Sequence, residues 1–140
     1  MTAPNATVII PLLQVTSMER SLAFYTEGLG FTLKNKWTPD DPDKIRWAWL
    51  TLGTAHVMLQ EPRDLTKLTS SPIGNGVSLY IQCTDALDLY RDLLTRDIAP
   101  SREPQVGNGN WEIFYTDPDG YKINLASPTD VAEETLLSHL

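Results

Sequence analysis

The chain has 140 residues, and its 18 acidic and 11 basic side chains give a formal net charge of −7. This length fits one domain, and 41% hydrophobic with 21% charged residues is typical of a folded globular chain rather than a disordered one. The acidic balance disfavours binding to the phosphate backbone of nucleic acids. No apolar run is long enough to cross a bilayer. We therefore expect no nucleic acid and no membrane among the partners.

The cysteine content and the first residues bear on the cellular location. Cys83 is the only cysteine, which excludes an internal disulfide and a cysteine-built zinc or iron–sulfur site within one chain. Residues 1–7 have neither a basic flank nor the apolar stretch of a secretory signal peptide. Together these features predict a cytoplasmic protein.

The first half of the chain predicts a strand, a helix and three further strands. An apolar segment over 8–15 indicates the first strand, and residues 16–19 have the spacing of a capping box at a helix start. Apolar residues then recur at helical spacing until Gly28, where the helix ends. The further strands are predicted over 31–37, 45–52 and 55–60.

The same order of elements repeats in the second half. Its predicted elements are a strand over 77–83, a helix capped by Thr84 or Asp85, an extended piece at 98–100, a mobile loop or turn at 107–110, and strands over 111–116 and 121–126. The last two strands form a hairpin across residues 117–120. The chain is thus one domain of two modules, about 8–62 and 76–128, with a candidate C-terminal helix at about 130–140.

Three segments of the chain carry a family pattern. They are Val15-x-Ser17-Met18-Glu19-Arg20-Ser21-Leu22-Ala23-Phe24-Tyr25 followed by Leu29-Gly30-Phe31, Ala55-His56-Val57-Met58-Leu59-Gln60-Glu61-Pro62, and Asp117-Pro118-Asp119-Gly120-Tyr121-Lys122-Ile123. In combination they resemble the vicinal oxygen chelate superfamily of glyoxalase I, bleomycin-resistance proteins and extradiol dioxygenases. Ser17 departs from the aspartate that is usual there, but serine also caps a helix. The resemblance implies an α+β fold, in which two βαβββ modules form a half-barrel around a central cavity, commonly in a homodimer.

The resemblance also implies where a metal would be held. In metal-using relatives, the first and last strands of each module each supply one ligand, and these positions correspond to Ile10, Met58, Val77 and Asn124. The side chains of Ile10 and Val77 have no lone pair to offer a metal. Met58 offers only a thioether sulfur, and Asn124 offers a single carbonyl oxygen. We therefore expect no metal and no other cofactor, which puts the glyoxalase and extradiol dioxygenase activities in doubt.

The same strands supply the candidate ligand-binding residues. Strand alternation places His56 and Gln60 on the face of Met58, and Gln14 on the face of Ile10. Pairing across the two hairpins adds Trp47 and Trp49 to the face of Met58, and Trp111, Ile113 and Tyr115 to the face of Asn124. Each of these residues has an alternative structural role in the core or a dimer interface. The predicted ligand-binding set is Ile10, Gln14, Trp49, His56, Met58, Gln60, Val77, Trp111, Tyr115 and Asn124.

Two functions of different classes remain open from the sequence. The first is a binding protein of the bleomycin-resistance type that sequesters a small hydrophobic or cationic molecule on its aromatic strands. The second is a lyase or dioxygenase with a displaced metal site, or a metal-free enzyme that uses His56 with Asn124 as an orienting group. A purely structural module has no specific feature in its favour.

Overall fold

The computed structural model describes residues 3–69 and 71–140, and these form two four-stranded sheets with few helices. The strands are β1 (Leu12–Gln14), β2 (Thr32–Trp37), β3 (Trp47–Leu52), β4 (Ala55–Gln60), β5 (Ser78–Gln82), β6 (Gln105–Gly107), β7 (Asn110–Thr116) and β8 (Lys122–Pro128). The α-helices are α1 (Met18–Leu22), which continues as a π-helical segment over Ala23–Gly28, and α2 (Ala86–Thr95). Single 3₁₀ turns lie at Leu65–Lys67 and Leu137–His139.

The two sheets have the same topology. The strand order is β1-β4-β3-β2 in the first sheet and β5-β8-β7-β6 in the second. In both, the first strand runs parallel to the last, and the other pairs are antiparallel hairpins. The βαβββ order therefore occurs twice and neither sheet closes, which confirms the predicted α+β fold of two modules.

Both helices begin at side chains that cap their free amides. The Ser17 hydroxyl accepts a hydrogen bond from the Arg20 amide, and the Asp85 carboxylate accepts one from the Asp88 amide. Met18 and Tyr25 are buried on the inner side of the first helix, where they join the core that both sheets share. The caps thus fix where each helix starts, and the apolar spacing fixes which side it buries.

The connection between the modules is a set of hydrogen bonds to the loop that joins β7 and β8. Asp119 accepts hydrogen bonds from the hydroxyl of Thr16 at 2.6 Å and from its amide at 3.0 Å. Asp117 accepts one from the Tyr25 hydroxyl at 2.8 Å, and the Tyr121 hydroxyl donates to the carbonyl of Gln14 at 2.7 Å. These bonds tie the second module to β1, to the segment that follows it and to the first helix.

Two sequence predictions of secondary structure are wrong, whereas the turn predicted within 107–110 is confirmed between β6 and β7. The second strand of the second module is β6 rather than 98–100. The predicted C-terminal α-helix does not form. Instead Val106 donates to the carbonyl of Thr135, and Leu136 bridges Gln105, so the chain end lies along β6. The amides of Glu134 and Leu137 therefore bond to the carbonyls of Val106 and Pro104, in or beside an edge strand, and no continuous helical ladder forms.

The register of the second hairpin also differs from the prediction. A four-residue turn would place Trp111 and Tyr115 on the face of Asn124, but the loop between Thr116 and Lys122 has five residues. The reason is that Asp117 accepts the amide of Tyr121 at 2.9 Å, which draws that residue into the loop. A shift of one residue reverses the faces of a strand. Trp111 and Tyr115 are accordingly buried in the core, and the residue opposite Asn124 is Phe114.

Glu61 is a buried carboxylate that links α1 to the loop before β3. It is 8% exposed, accepts the Met18 amide at 2.7 Å, and forms ion pairs of 2.9 Å with Lys44 and Arg46. The hydrogen bond to Glu61 is the main cause of a raised pKa at Lys44. One side chain therefore satisfies a helix amide and two cations.

We expect Glu61→Ala to lower the free energy of unfolding by about 3 kcal/mol, because a helix amide and two partly buried cations lose their acceptor. Glu61→Gln keeps an oxygen for the Met18 amide and loses only the charge, so its effect is smaller. The control is Glu19→Gln, since Glu19 also pairs with Lys44 but is 69% exposed, and less than about 1 kcal/mol is expected there. Urea unfolding measures all three, and a loss at Glu19 equal to that at Glu61 contradicts the assignment.

Asp117 gives the stability of the protein a pH dependence. It is 4% exposed, and burial is the main cause that raises the pKa of its carboxyl above the ordinary 3.8, with the charge of Asp119 adding to it. Since the folded form then takes up its proton at higher pH than the unfolded form, the contribution of Asp117 to stability rises as pH falls from the raised pKa towards 3.8.

We expect Asp117→Asn to remove this contribution. The wild type should gain stability relative to the variant when urea unfolding is repeated from about pH 7 down to about pH 4. Asp43→Asn, in the exposed loop before β3, is the control for loss of a carboxylate. A wild type that loses stability relative to Asp117→Asn over the same range contradicts a raised pKa at this carboxyl.

Candidate functional site

One face of the first sheet, opposite the buried one, is partly exposed to solvent. We call it the first-sheet face; it carries Leu12, Gln14, Trp37, Trp47, Trp49, His56, Met58 and Gln60. The opposite face, with Leu13, Leu50 and Leu59, is buried in the core. Alternation of the strands thus leaves a surface rich in aromatic side chains partly open to solvent.

Three of the four tryptophans lie on the first-sheet face. Trp37 pairs with Trp47 across β2 and β3, and Trp49 lies directly opposite Met58 across β3 and β4. The rings of Trp47 and Trp49 are in edge contact, with centroids 6.4 Å apart and planes at 66°. Trp37 is 49% exposed, so this aromatic surface reaches the outer strand of the sheet.

Two cations lie over these rings. The ammonium of Lys34 is 4.0 Å from the centroid of Trp49, and the guanidinium of Arg63 is 5.8 Å from that of Trp37. Lys34 reaches Trp49 from the position where the register between β2 and β3 shifts. The first-sheet face therefore already has cation–π contacts within the chain.

His56 is held in one orientation by its aromatic neighbour. The indole N–H of Trp49 donates to Nδ1 of His56 at 3.1 Å, so the neutral imidazole carries its proton on Nε2. Gln14 and Gln60 are similarly joined, since the Gln14 amide donates to Oε1 of Gln60 at 3.1 Å. The polar groups of this face are thus positioned by one another rather than by the core.

A cavity of about 360 Å³ lies between the edge strands of the two sheets. Its walls include Ile9 and Pro11 before β1, His56 from β4, and Tyr80 and Ile81 from β5. Since β1 and β5 each pair on one side only, this gap separates the two unpaired sheet edges. The central cavity implied by the sequence therefore has a counterpart, but it contains only His56 of the ten predicted ligand-binding residues.

The open face of the second sheet differs in chemistry. It presents Tyr80, Glu112, Phe114 and Asn124, and the Tyr80 hydroxyl donates to the Glu112 carboxylate at 2.7 Å. Partial burial, together with this bond, raises the pKa of Tyr80 to about 12. The guanidinium of Arg102 lies 4.5 Å from the Phe114 centroid. This face is polar and charged where the first-sheet face is aromatic.

The structure gathers some of the predicted ligand-binding residues and separates others. The first-sheet face holds Gln14, Trp49, His56, Met58 and Gln60, and Asn124 lies on the second sheet. Ile10 precedes β1, outside any strand. Val77 precedes β5, and Tyr80 rather than Val77 lies opposite Asn124.

Sequence reasoning missed four residues of the two open faces. Trp37 had the right position in a strand, but the pairing of β2 with β3 decides that it joins Trp47. Lys34 and Arg102 come into place through a register shift and an irregular segment, neither of which has a sequence signal. Phe114 was excluded by the predicted four-residue turn.

The residues at the family's metal positions do not fit a divalent ion. Met58 and Asn124 offer a thioether and an amide, and their partners in the neighbouring strands are Leu12 and Tyr80, whose hydroxyl is bound to Glu112. Such ions in proteins are held by several carboxylate, imidazole or thiolate groups that converge. Within residues 3–69 and 71–140, no three His, Cys, Asp or Glu side chains come together in that way.

The chain is a small α+β protein of two βαβββ modules, with two open sheet faces and a cavity between the sheet edges. The model of the Glyoxalase/Bleomycin resistance protein/Dioxygenase superfamily matches residues 7–125, and the chain belongs to this family. No curated protein matches the sequence. The helices of the described ranges are all too short or too polar to cross a bilayer.

Solved structures with this fold are distant in sequence. TnmS3, an antibiotic binding protein from Streptomyces sp. CB03234, has a TM-score of 0.69 at 19% identity, over 91% of this chain and 100% of that one. A bleomycin resistance determinant encoded on transposon Tn5 has a TM-score of 0.68 at 20% identity, over 88% and 98%. Lactoylglutathione lyase from Agrobacterium tumefaciens has 0.66 at 15% identity, over 89% and 95%. At these identities the likeness establishes the fold.

Proposed function

We propose that the protein binds and sequesters a small planar, largely apolar molecule on the first-sheet face. The observation that carries the proposal is the set of Trp37, Trp47, Trp49 and Met58, which lie together and partly open to solvent. Large apolar side chains are normally buried, and an open cluster of them marks an interaction surface. That similar folds include an antibiotic binding protein and a bleomycin resistance determinant supports the same kind of ligand here.

Lys34 bears on the charge of this ligand. Its ammonium lies 4.0 Å from the Trp49 centroid, where a stacked cation would also bind. A cationic ligand that stacks on Trp49 is repelled by the Lys34 ammonium beside it. A neutral ligand is not repelled and has only to displace the ammonium from the ring. Between the hydrophobic and cationic ligands that the sequence left open, the contact supports the neutral one.

His56, Gln14 and Gln60 supply the polar contacts of this proposal. His56 has its Nδ1 bound to Trp49, so Nε2–H is the group free to donate to a ligand acceptor. The same geometry suits hydrogen bonding to a ligand better than general acid–base catalysis. Catalysis by His56 would need a carboxylate at Nδ1 to stabilise the imidazolium, and Nδ1 instead accepts from an indole N–H. A binding role is therefore supported above the alternative of a lyase or dioxygenase.

Calorimetric titration with acridine, which is neutral near pH 7, and with the N-methylacridinium cation of nearly the same shape tests both parts of the proposal. Trp49→Leu should weaken acridine binding about tenfold through lost stacking area. Lys34→Gln should strengthen binding of N-methylacridinium about fivefold relative to acridine, since a cation–π competitor is removed. Bleomycin is titrated alongside, because one related fold is named for resistance to it.

The controls are Lys36→Gln and Tyr90→Leu. Lys36 is exposed on the same strand as Lys34, and Tyr90 lies on α2, away from the first-sheet face. Both should bind the probes as the wild type does, with circular dichroism as the check on folding. Equal acridine affinity in Trp49→Leu and wild type, or no acridine binding by the folded wild type, contradicts the proposal.

We also propose that the protein forms a homodimer and acts in the cytoplasm. The dimer is supported by the unpaired edges of β1 and β5 and by apolar side chains beside them, of which Ile9 is 91%, Leu12 46% and Tyr80 49% exposed. The cytoplasmic location stays a prediction from the sequence.

Light scattering of the wild type should give about twice the chain mass of 15.7 kDa. Ile9→Glu and Leu12→Glu should shift the protein towards monomer, because a charge at the interface loses its hydration on association. Leu65→Glu is the matched control, since Leu65 is 45% exposed in the connection between modules. A wild-type mass that stays at one chain across concentrations contradicts the dimer.

A further inference from the structure

A further cavity lies on the second sheet, away from Trp37, Trp47 and Trp49. A cavity of about 340 Å³ opens there, and we call it the second-sheet pocket. It is lined by Ser78, Ser101, Arg102, Phe114, Lys122 and Asn124. Two of these six side chains are cations, in a chain whose net charge is −7. Such a local reversal of charge attracts anions.

Neither cation is neutralised by a carboxylate. Within the described residues, Arg102 and Lys122 form no ion pair, in contrast to Lys44, Arg46, Arg63 and Arg96. Arg102 is stacked on Phe114, and Lys122 donates to the Thr116 hydroxyl at a long 3.3 Å. Their charges therefore remain available to a ligand in the pocket.

Two acidic side chains near Arg102 are engaged elsewhere. Glu112 accepts the Tyr80 hydroxyl at 2.7 Å, and Glu133 accepts the Gly109 amide at 2.7 Å. Both line a neighbouring groove with Glu134 and Arg102, and among the described residues none of these three carboxylates forms an ion pair with the guanidinium. The guanidinium thus borders both this acidic groove and the second-sheet pocket.

Asn124 adds a donor to the pocket. Its Oδ1 is buried and has no hydrogen-bond partner in the described part of the chain, while the residue as a whole is partly exposed. The polar atom of Asn124 that the cavity meets is therefore the amide nitrogen. With the Ser78 hydroxyl, the pocket gathers groups that donate hydrogen bonds or carry positive charge, which is the set that an oxyanion needs.

We propose that the second-sheet pocket binds an aromatic carboxylate. Arg102 and Lys122 would contact the carboxylate, the Asn124 amide and Ser78 would donate to it, and the ring would lie against Phe114. This inference goes beyond the proposed function and stands on residues of the other sheet. The pocket would thus accept the acidic group of a molecule other than the neutral ligand proposed for the first-sheet face.

Nuclear magnetic resonance titration of the labelled protein tests this with three probes: benzoate, benzyl alcohol as its neutral analogue, and inorganic phosphate. Benzoate should shift the Ser78 amide and the Asn124 side-chain amide with saturation. Benzyl alcohol should bind about tenfold more weakly, because the charged hydrogen bonds are lost. Arg102→Gln and Lys122→Met should each weaken benzoate binding about tenfold for the same reason.

Arg91→Gln is the matched control, since Arg91 is an exposed arginine on α2 outside the pocket. It should leave benzoate binding unchanged. The inference is overturned if benzoate does not shift Asn124, if Arg102→Gln binds it as the wild type does, or if phosphate binds as tightly as benzoate. None of these outcomes bears on acridine binding at Trp49, so the two proposals fail separately.

Discussion

The loop between β7 and β8 holds the two modules in one frame through two carboxylates. Asp119 binds the segment after β1 at Thr16, and Asp117 binds Tyr25 within the first helix. Each module alone presents a sheet with one apolar face, and both faces meet in a single core. The cost of burying Asp117, visible in its raised pKa, is offset by hydrogen bonds that fix where one module meets the other. The gap between β1 and β5 follows from this arrangement.

Alternation along the strands then decides what each sheet shows to solvent. In the first sheet, Leu50 and Leu59 face the core, which turns Trp49 and Met58 outward. In the second, Ile113 and Tyr115 face the core, and Phe114 is turned outward. The same topology therefore produces one aromatic face and one cationic pocket, and the difference between them lies in a few side chains at outward positions.

Much of the fold was predictable from the sequence because its signals are local. The Asp85 cap, the helical spacing of apolar side chains and the two-residue turn at Gly53 depend on neighbours in the chain, and the structure agrees with each. The capping box predicted over 16–19 does not form, because Ser17 is the N-cap and the Thr16 hydroxyl bonds to Asp119. The tight turn also gave the correct face for Trp47 and Trp49. The second hairpin failed because Tyr121 enters its loop through a bond to a buried aspartate, which no local pattern reveals.

The candidate sites were predictable only in part for a related reason. Lys34 and Arg102 reach aromatic rings on other elements, and the distances of 4.0 Å and 4.5 Å arise from tertiary structure. Likewise, the C-terminal segment has the spacing of a short helix, but Val106 on β6 offers it hydrogen bonds that the sequence alone does not show. Positions within regular strands were thus accessible to prediction, whereas contacts made by bulges, loops and chain ends were not.

The repeated topology with unlike outward faces has a consequence for how specificity can change. Because outward side chains such as Trp49 and Phe114 contribute little to the shared core, either can be replaced without repacking the other module. Under the two proposals, the first half binds a flat apolar molecule and the second binds a charged group, each on its own sheet of a common frame. Recognition of a new molecule can therefore be assembled one half at a time, while the aspartate loop keeps the geometry between the halves constant.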